Sequence, residues 1–145
     1  MKKTLIAIPL GDPAGIGPEI VARSIADKEL FNVTDCIVIG DRKVMENAIR
    51  IMGEDLKVNV VADPAEGDYR EGVLNLIDLD NIDMERFEFG RVDAMCGKAA
   101  FEYIEKSIQI TMAGKADAVA TTPINKESLR AGGINFIGKE CLCRR

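Results

Sequence analysis

The chain has 145 residues, 47% of them apolar and 30% charged, with a formal net charge of -5. That balance describes one ordinary globular domain and excludes a disordered polyelectrolyte or a protein that holds nucleic acid by bulk positive charge. The basic start Met1-Lys2-Lys3 precedes an apolar run too short for a signal peptide or a membrane span, so no nucleic-acid or membrane partner and a cytoplasmic location are expected.

Thr4 to Leu10 reads as a buried strand. It runs into Gly11-Asp12-Pro13-Ala14-Gly15-Ile16-Gly17-Pro18-Glu19-Ile20, and Val21 to Ala26 then repeats apolar residues at helical spacing. The stretch is therefore a strand-to-helix loop. Gly15 and Gly17 allow backbone angles and close approach that side chains forbid, and Pro18 at the first helical position gives up an N–H that had no partner. Free N–H groups at such a helix start suit an anion. The Rossmann fingerprint is not met, because its third glycine falls at Ile20, and no Lys-Ser or Lys-Thr completes a P-loop. A plain tight turn also uses such glycines, and Glu19 is explained by the helix dipole alone.

Val33 to Ile39 is a second strand, and Val44, Met45, Ala48, Ile49 and Met52 mark one face of a helix that Gly53 ends. Asp41 stands where a dinucleotide fold places its ribose-binding acid, but an N-cap is the preferred reading. Lys57 to Val61 forms a short strand, Asp63 to Asp68 a turn-rich loop, and Val73 to Leu79 another strand. A long amphipathic helix is expected from Asp93 to Ala113, with Ala99, Ala100, Tyr103, Ile104, Ile108 and Met112 inward and Gly114 closing it. Ala116 to Thr121 is the next strand, and Asn125 caps a final helix. Repeated strand-helix units imply a three-layer α/β/α fold with a mostly parallel sheet.

In a parallel sheet the loops at the carboxyl ends of the strands share one edge, so Asp12, Gly15, Gly17, Thr122, Asn125 and Lys126 are candidates to line one crevice for substrate or cofactor. Each has a plain alternative: a turn hydroxyl for Thr122, a cap for Asn125, a solvated first-turn residue for Lys126. The sequence has no histidine, which removes the commonest metal ligand and the commonest acid-base group near neutral pH. Cys36 and Cys96 read as buried thiols, and Cys141 and Cys143 sit in the tail without zinc spacing.

Gly-Asp-Pro-Ala-Gly-Ile-Gly-Pro-Glu at 11–19, Phe89-Gly90-Arg91-Val92 and Thr122-Pro123-Ile124-Asn125-Lys126-Glu127 together resemble the 4-hydroxythreonine-4-phosphate dehydrogenase family of pyridoxal phosphate biosynthesis. That family is related in fold to the isocitrate and isopropylmalate dehydrogenases. The resemblance covers Lys3 to about Gly138. It implies NAD-dependent oxidation and decarboxylation of a phosphorylated hydroxy acid, with 4-phosphohydroxy-L-threonine, threonate phosphate or erythronate phosphate as the substrate class. It further implies a divalent metal (zinc, magnesium or cobalt) as Lewis acid, and a homodimer.

Family chains continue after the equivalent of Gly138 with His-Thr-Glu, whose His and Thr contact substrate; here Lys139, Glu140 and Cys141 stand instead. The expected organisation is therefore 1–138 as the amino-terminal part of such a dehydrogenase and 139–145 as an aberrant tail. A shifted reading frame would account for the change. The family's three metal-binding histidines and most of its NAD site lie later, so no catalytic residue and no metal ligand is assigned here, and this chain alone is expected to be inactive. In the family the later chain returns to complete the first domain, so apolar sheet or helix surface is expected to be exposed. Two readings of other classes stand beside this one: a non-enzymatic α/β signalling module of the phospho-receiver type, and an interaction fragment. The receiver comparison rests on Asp12 and Asp63, and fails where a receiver wants paired acids after its first strand and a Lys after its last.

Overall fold

The computed structural model describes residues 2–135; the tail 139–145, with Lys139, Glu140, Cys141 and Cys143, lies outside the described residues. Five strands form one sheet: β1 (Thr4–Pro9), β2 (Thr34–Gly40), β3 (Lys57–Val60), β4 (Val73–Asp78) and β5 (Ala118–Val119). Their order is β3-β4-β2-β1-β5, and every pairing is parallel. The helices are α1 (Gly17–Ile25), α2 (Lys28–Val33), α3 (Arg42–Met52), α4 (Ala94–Met112) and α5 (Lys126–Ala131).

The chain steps one way across the sheet from β1 through β2 to β3, and the connection from β4 to β5 steps back. Right-handed crossovers then put α1 and α3 on one face and α4 on the other, which gives the three layers. Packing agrees: α1 lies against α3, while α4 lies on β1, β2 and β5 and carries α5. Ala7, Ile37, Val38, Ile39, Leu74 and Leu76 fill the sheet's centre, closed by Val21 and Met45 on one side and Tyr103 on the other.

Four details depart from the sequence pattern. Helix α2 was not expected: Asp27 caps it by accepting from Glu29 and Leu30 N–H, and none of its residues is buried, so no apolar stripe announces it. Strand β2 accordingly begins at Thr34 rather than Val33. Strand β5 is two residues long, not six, because it pairs with β1 only through Ile6 and Ala7. In α4, Met112 is 83% exposed, while Ser107 and Ile110 are buried. Met112 follows Tyr103 by nine residues, about two and a half turns, and so points away from the sheet; Ile110, about two turns on, points toward it.

Beside β5, Ile6, Ile8, Ile20, Val21, Leu30 and Ala120 line an open groove of about 320 Å³. It is apolar sheet-and-helix surface of the kind the resemblance implies.

Candidate functional site

The crevice is built where neighbouring strands send their chains to opposite faces of the sheet. After β1 the chain enters α1 on one face; after β5 it enters α5 on the other, and a ligand crevice opens between such loops. Two hydrogen bonds hold the loops together: Asp12 N–H donates to the Pro123 carbonyl at 3.2 Å, and Thr122 Oγ1 donates to the Pro9 carbonyl at 3.0 Å.

That approach dictates which glycines matter. Gly11 has φ +77 and faces the Pro123 carbonyl and the Thr122 hydroxyl, so a side chain there meets both strain and overlap. At Gly17 a Cβ would run into the Leu10 carbonyl. Gly15, by contrast, has no left-handed φ, and a Cβ there finds only ordinary contact, 3.4 Å from the Asp12 carbonyl. The close approach expected of Gly15 and Gly17 thus holds for Gly17, and the unusual backbone angle belongs to Gly11.

Helix α1 starts at Ile16 without a side-chain cap, although Asp27, Asp41, Asp93 and Asn125 cap α2, α3, α4 and α5. The cap residue therefore offers its first-turn N–H groups no acceptor, and the acid of that turn is Glu19. A cleft of about 260 Å³ lies there, lined by Asp12, Ala14, Gly15, Ile16, Gly90, Arg91, Pro123, Ile124 and Asn125.

Of the six candidates, Asp12, Gly15 and Asn125 line this cleft. Gly17 lies behind them under Leu10, and Thr122 is a buried tie between loops with its hydroxyl on Pro9. Asn125 caps α5 through Glu127 and Ser128 N–H, and Lys126 is exposed on the first turn of α5, outside the lining. Asp12 is 4% exposed. Burial raises its carboxyl above the ordinary 3.8, opposed by the Ala14 N–H and Ser128 and reinforced by the charge of Asp93. Burial, with Asp12 and Asp93 behind it, pushes the Cys96 thiol up to about 12, so it stays protonated and unreactive near neutral pH.

Sequence reasoning missed one wall of the crevice as a site. The loop before α4 folds over the glycine loop, with Gly90 N–H donating to the Ala14 carbonyl at 2.8 Å and Arg91 reaching Glu88 at 3.0 Å. It also missed the α4–α5 contact, where a Cβ on Gly97 would strike the Ser128 carbonyl. A glycine inside a helix costs about 1 kcal/mol against alanine, and that was the available signal of close approach.

Among the described residues no group of three or more His, Cys, Asp or Glu side chains is placed to hold a metal ion, so the donor set does not fit a divalent site. The cleft falls below the roughly 300–1,000 Å³ usual for ligand pockets and does not fit a whole dinucleotide.

A sequence profile described as pyridoxal phosphate biosynthetic protein PdxA matches residues 32–144. A protein of Fusobacterium nucleatum, provisionally named D-threonate 4-phosphate dehydrogenase, is 56% identical over 136 residues, which are 94% of this chain and 41% of that protein. A Symbiobacterium thermophilum protein of the same provisional name is 48% identical over 136 residues, again 94% of this chain and 41% of the relative. Among solved structures, a 4-hydroxythreonine-4-phosphate dehydrogenase from Burkholderia phymatum superposes with TM-score 0.94 at 36% identity, covering 99% of this chain and 43% of that one. The enzyme of that name from Klebsiella pneumoniae gives TM-score 0.87 at 31% identity, covering 97% of this chain and 42% of its own. The chain thus spans about two fifths of the length of these relatives, and its α/β fold is of the isocitrate/isopropylmalate dehydrogenase-like type.

Proposed function

Because this chain belongs to the family of the pyridoxal phosphate biosynthetic protein PdxA, we propose that it forms one wall of the active-site crevice of an NAD-dependent dehydrogenase acting on a phosphorylated hydroxy acid. 4-Phosphohydroxy-L-threonine and threonate phosphate are the substrate classes that its relatives' names support. Residues 1–138 are the family's amino-terminal part, the whole enzyme is a cytoplasmic homodimer, and NAD and a divalent metal are held chiefly by chain that these residues lack.

The observation that carries the reading is the uncapped start of α1 over the cleft between the β1 and β5 loops. Backbone N–H groups and the helix dipole offer a phosphate a seat there, and Gly15 keeps the entrance free of a side chain. The Asp12 carboxyl in the cleft lining is nearly buried and accepts from Ala14 N–H.

The test is a titration of the chain with inorganic phosphate, followed by amide shifts. We expect shifts centred on Gly15, Ile16, Gly17 and Asn125, weakened by salt, with an affinity of about 1 mM, roughly -4 kcal/mol. Incubation with NAD and either phosphorylated acid should give no NADH. Shifts spread over the surface, or none, would rule out the seat, and turnover would rule out an incomplete site.

A further inference from the structure

The loop before α4 divides the surface around the glycine loop into two clefts of opposite character. On one side of Gly90, Asp12, Gly15, Ile16, Arg91 and Asn125 line the cleft of about 260 Å³ described above; on the other, Ile16, Glu19, Ile51 and Phe89 line one of about 340 Å³. The second is apolar with one acid. The first has Arg91 as the one basic residue of its lining and Asp12 as its one acid. Asp12 is 4% exposed, with Oδ1 on the Ala14 N–H at 2.9 Å, whereas the Arg91 side chain is 62% exposed. The charge that this cleft presents to an incoming molecule is that of the guanidinium.

Arg91 is held by its backbone and loosely held at its tip. Gly90 has φ +71 and donates its N–H to the Ala14 carbonyl at 2.8 Å, and Asp93 caps α4, so the main chain is tied on both sides of the arginine. The guanidinium donates from Nη1 to Glu88 Oε2, three residues back, at 3.0 Å, and the Glu88 side chain is 65% exposed. An ion pair so open to water contributes little and exchanges readily. A guanidinium carries five N–H donors in a planar fork, and a phosphate accepts two of them in parallel. We infer that Arg91 is the residue by which this cleft recognises phosphate: the anion takes the guanidinium from Glu88 in a two-point contact, and Glu88 holds the side chain in place until then.

The inference rests on the phosphate reading proposed above, and its test separates the arginine from the seat at α1. Inorganic phosphate is titrated into the chain and into Arg91→Gln, Arg91→Lys, Glu88→Gln and the double variant Arg91→Gln/Glu88→Gln. Binding is read at the Arg91 Nε–H signal and at the backbone amides of Gly15, Ile16 and Gly17. Loss of a charge-assisted contact should weaken binding about tenfold in Arg91→Gln. Arg91→Lys keeps the charge without the fork and should stay about threefold weaker than the parent; full recovery overturns the two-point contact. Glu88→Gln frees the guanidinium from its competitor and should tighten binding about threefold. Removing a negative charge anywhere nearby would also tighten it, so the double variant decides: without the arginine, Glu88→Gln should change affinity by less than about 1.5-fold. Equal tightening in both backgrounds overturns the inference. Equal affinity of parent and Arg91→Gln overturns it too, and leaves the seat standing if the α1 amides still shift. Movement of the Nε–H signal with those amides still upholds the arginine and dismisses the seat, and silence at both dismisses both.

Discussion

At the junction of β2 and α3, the cap residue Asp41 fills the helix start; at the junction of β1 and α1, the cap residue Ile16 has no group to do so, and the acid of the first turn is Glu19. Both junctions lie where adjacent strands send their chains to opposite faces, β2 beside β4 and β1 beside β5. Asp41 is fully buried, and its Oδ1 accepts from Lys43 and Val44 N–H at 2.9 and 3.3 Å. Its Oδ2 accepts from Ile82 N–H at 3.1 Å, which binds the loop after β4 into the same knot. At α1 the acid in the loop, Asp12, turns to Ala14, and the cap position falls to Ile16, 62% exposed. A junction that carries its own anion is closed, and one that directs its acid elsewhere is left open to an anion from outside.

The sharpest way to break the contrast is Asp41→Ala. It leaves a helix start uncapped and the Ile82 N–H without its acceptor, for a loss of about 2–4 kcal/mol in urea unfolding. Asp41→Asn should restore less than half of this, because its NH₂ would face another N–H at Ile82. The same exchange at Asp12 is expected to be benign, so the pair of Asp-to-Asn variants tells a closed junction from an open one.

Next in size is Gly17→Ala, whose methyl group meets the Leu10 carbonyl. About 1–3 kcal/mol of stability should be lost as α1 shifts, and the phosphate-induced shifts should vanish with it. Gly15→Ala, with room for its methyl group, should stay within about 0.5 kcal/mol of the parent in the same measurement.

Much of this contrast was legible beforehand, and the missing part has a physical reason. Caps are local, so Asp41 and Asn125 could be assigned from their place before a periodic apolar run, and the observed hydrogen bonds agree. The parallel three-layer fold followed from the alternation of strands and helices. What local pattern could not supply was partnership across long separations. Thr122 was a candidate for the crevice and is a tie to Pro9; Lys126 was a candidate and stands outside the lining. Ser128, in the first turn of α5, gave no hint that its hydroxyl oxygen accepts from Asp93 N–H. Met112 was placed inward on an apolar count that ignored how a helix turns past the sheet it covers.

A subtler test uses pH. The folded chain holds the Asp12 carboxyl above 3.8, chiefly through burial, so its contribution is fully present below that value and is lost as pH rises through the folded titration. Asp12→Asn removes the ionisation. Its melting temperature should therefore equal the parent's at the acid end, rise above it between 3.8 and the folded Asp12 midpoint, and hold a level advantage beyond that midpoint; a constant difference across the whole series would contradict the assignment. Asp63 has the opposite sign: the Lys115 contact, then the Ala65 N–H, lowers it, so its contribution is present at neutral pH and fades on acidification. The smallest effect is expected from Ile16→Asp, which gives the cap position of α1 a carboxylate. Its backbone, at φ -91 and ψ -4, lacks the extended geometry of the other caps, so the gain should stay below about 1 kcal/mol while phosphate affinity falls.

The tie between Thr122 and Pro9 spans 113 positions of sequence. Chain elongation proceeds at roughly 5–20 residues per second, so roughly 6–23 s separate the synthesis of the two sides of the crevice. Strand β1 finds β2 early and waits for β5, with its edge at Ile6 and Ala7 unpaired in the meantime. The glycine loop therefore leaves the ribosome well before the segment that forms its opposite wall. A nascent chain shorter than about 122 residues carries the whole motif with no opposite wall to give it shape.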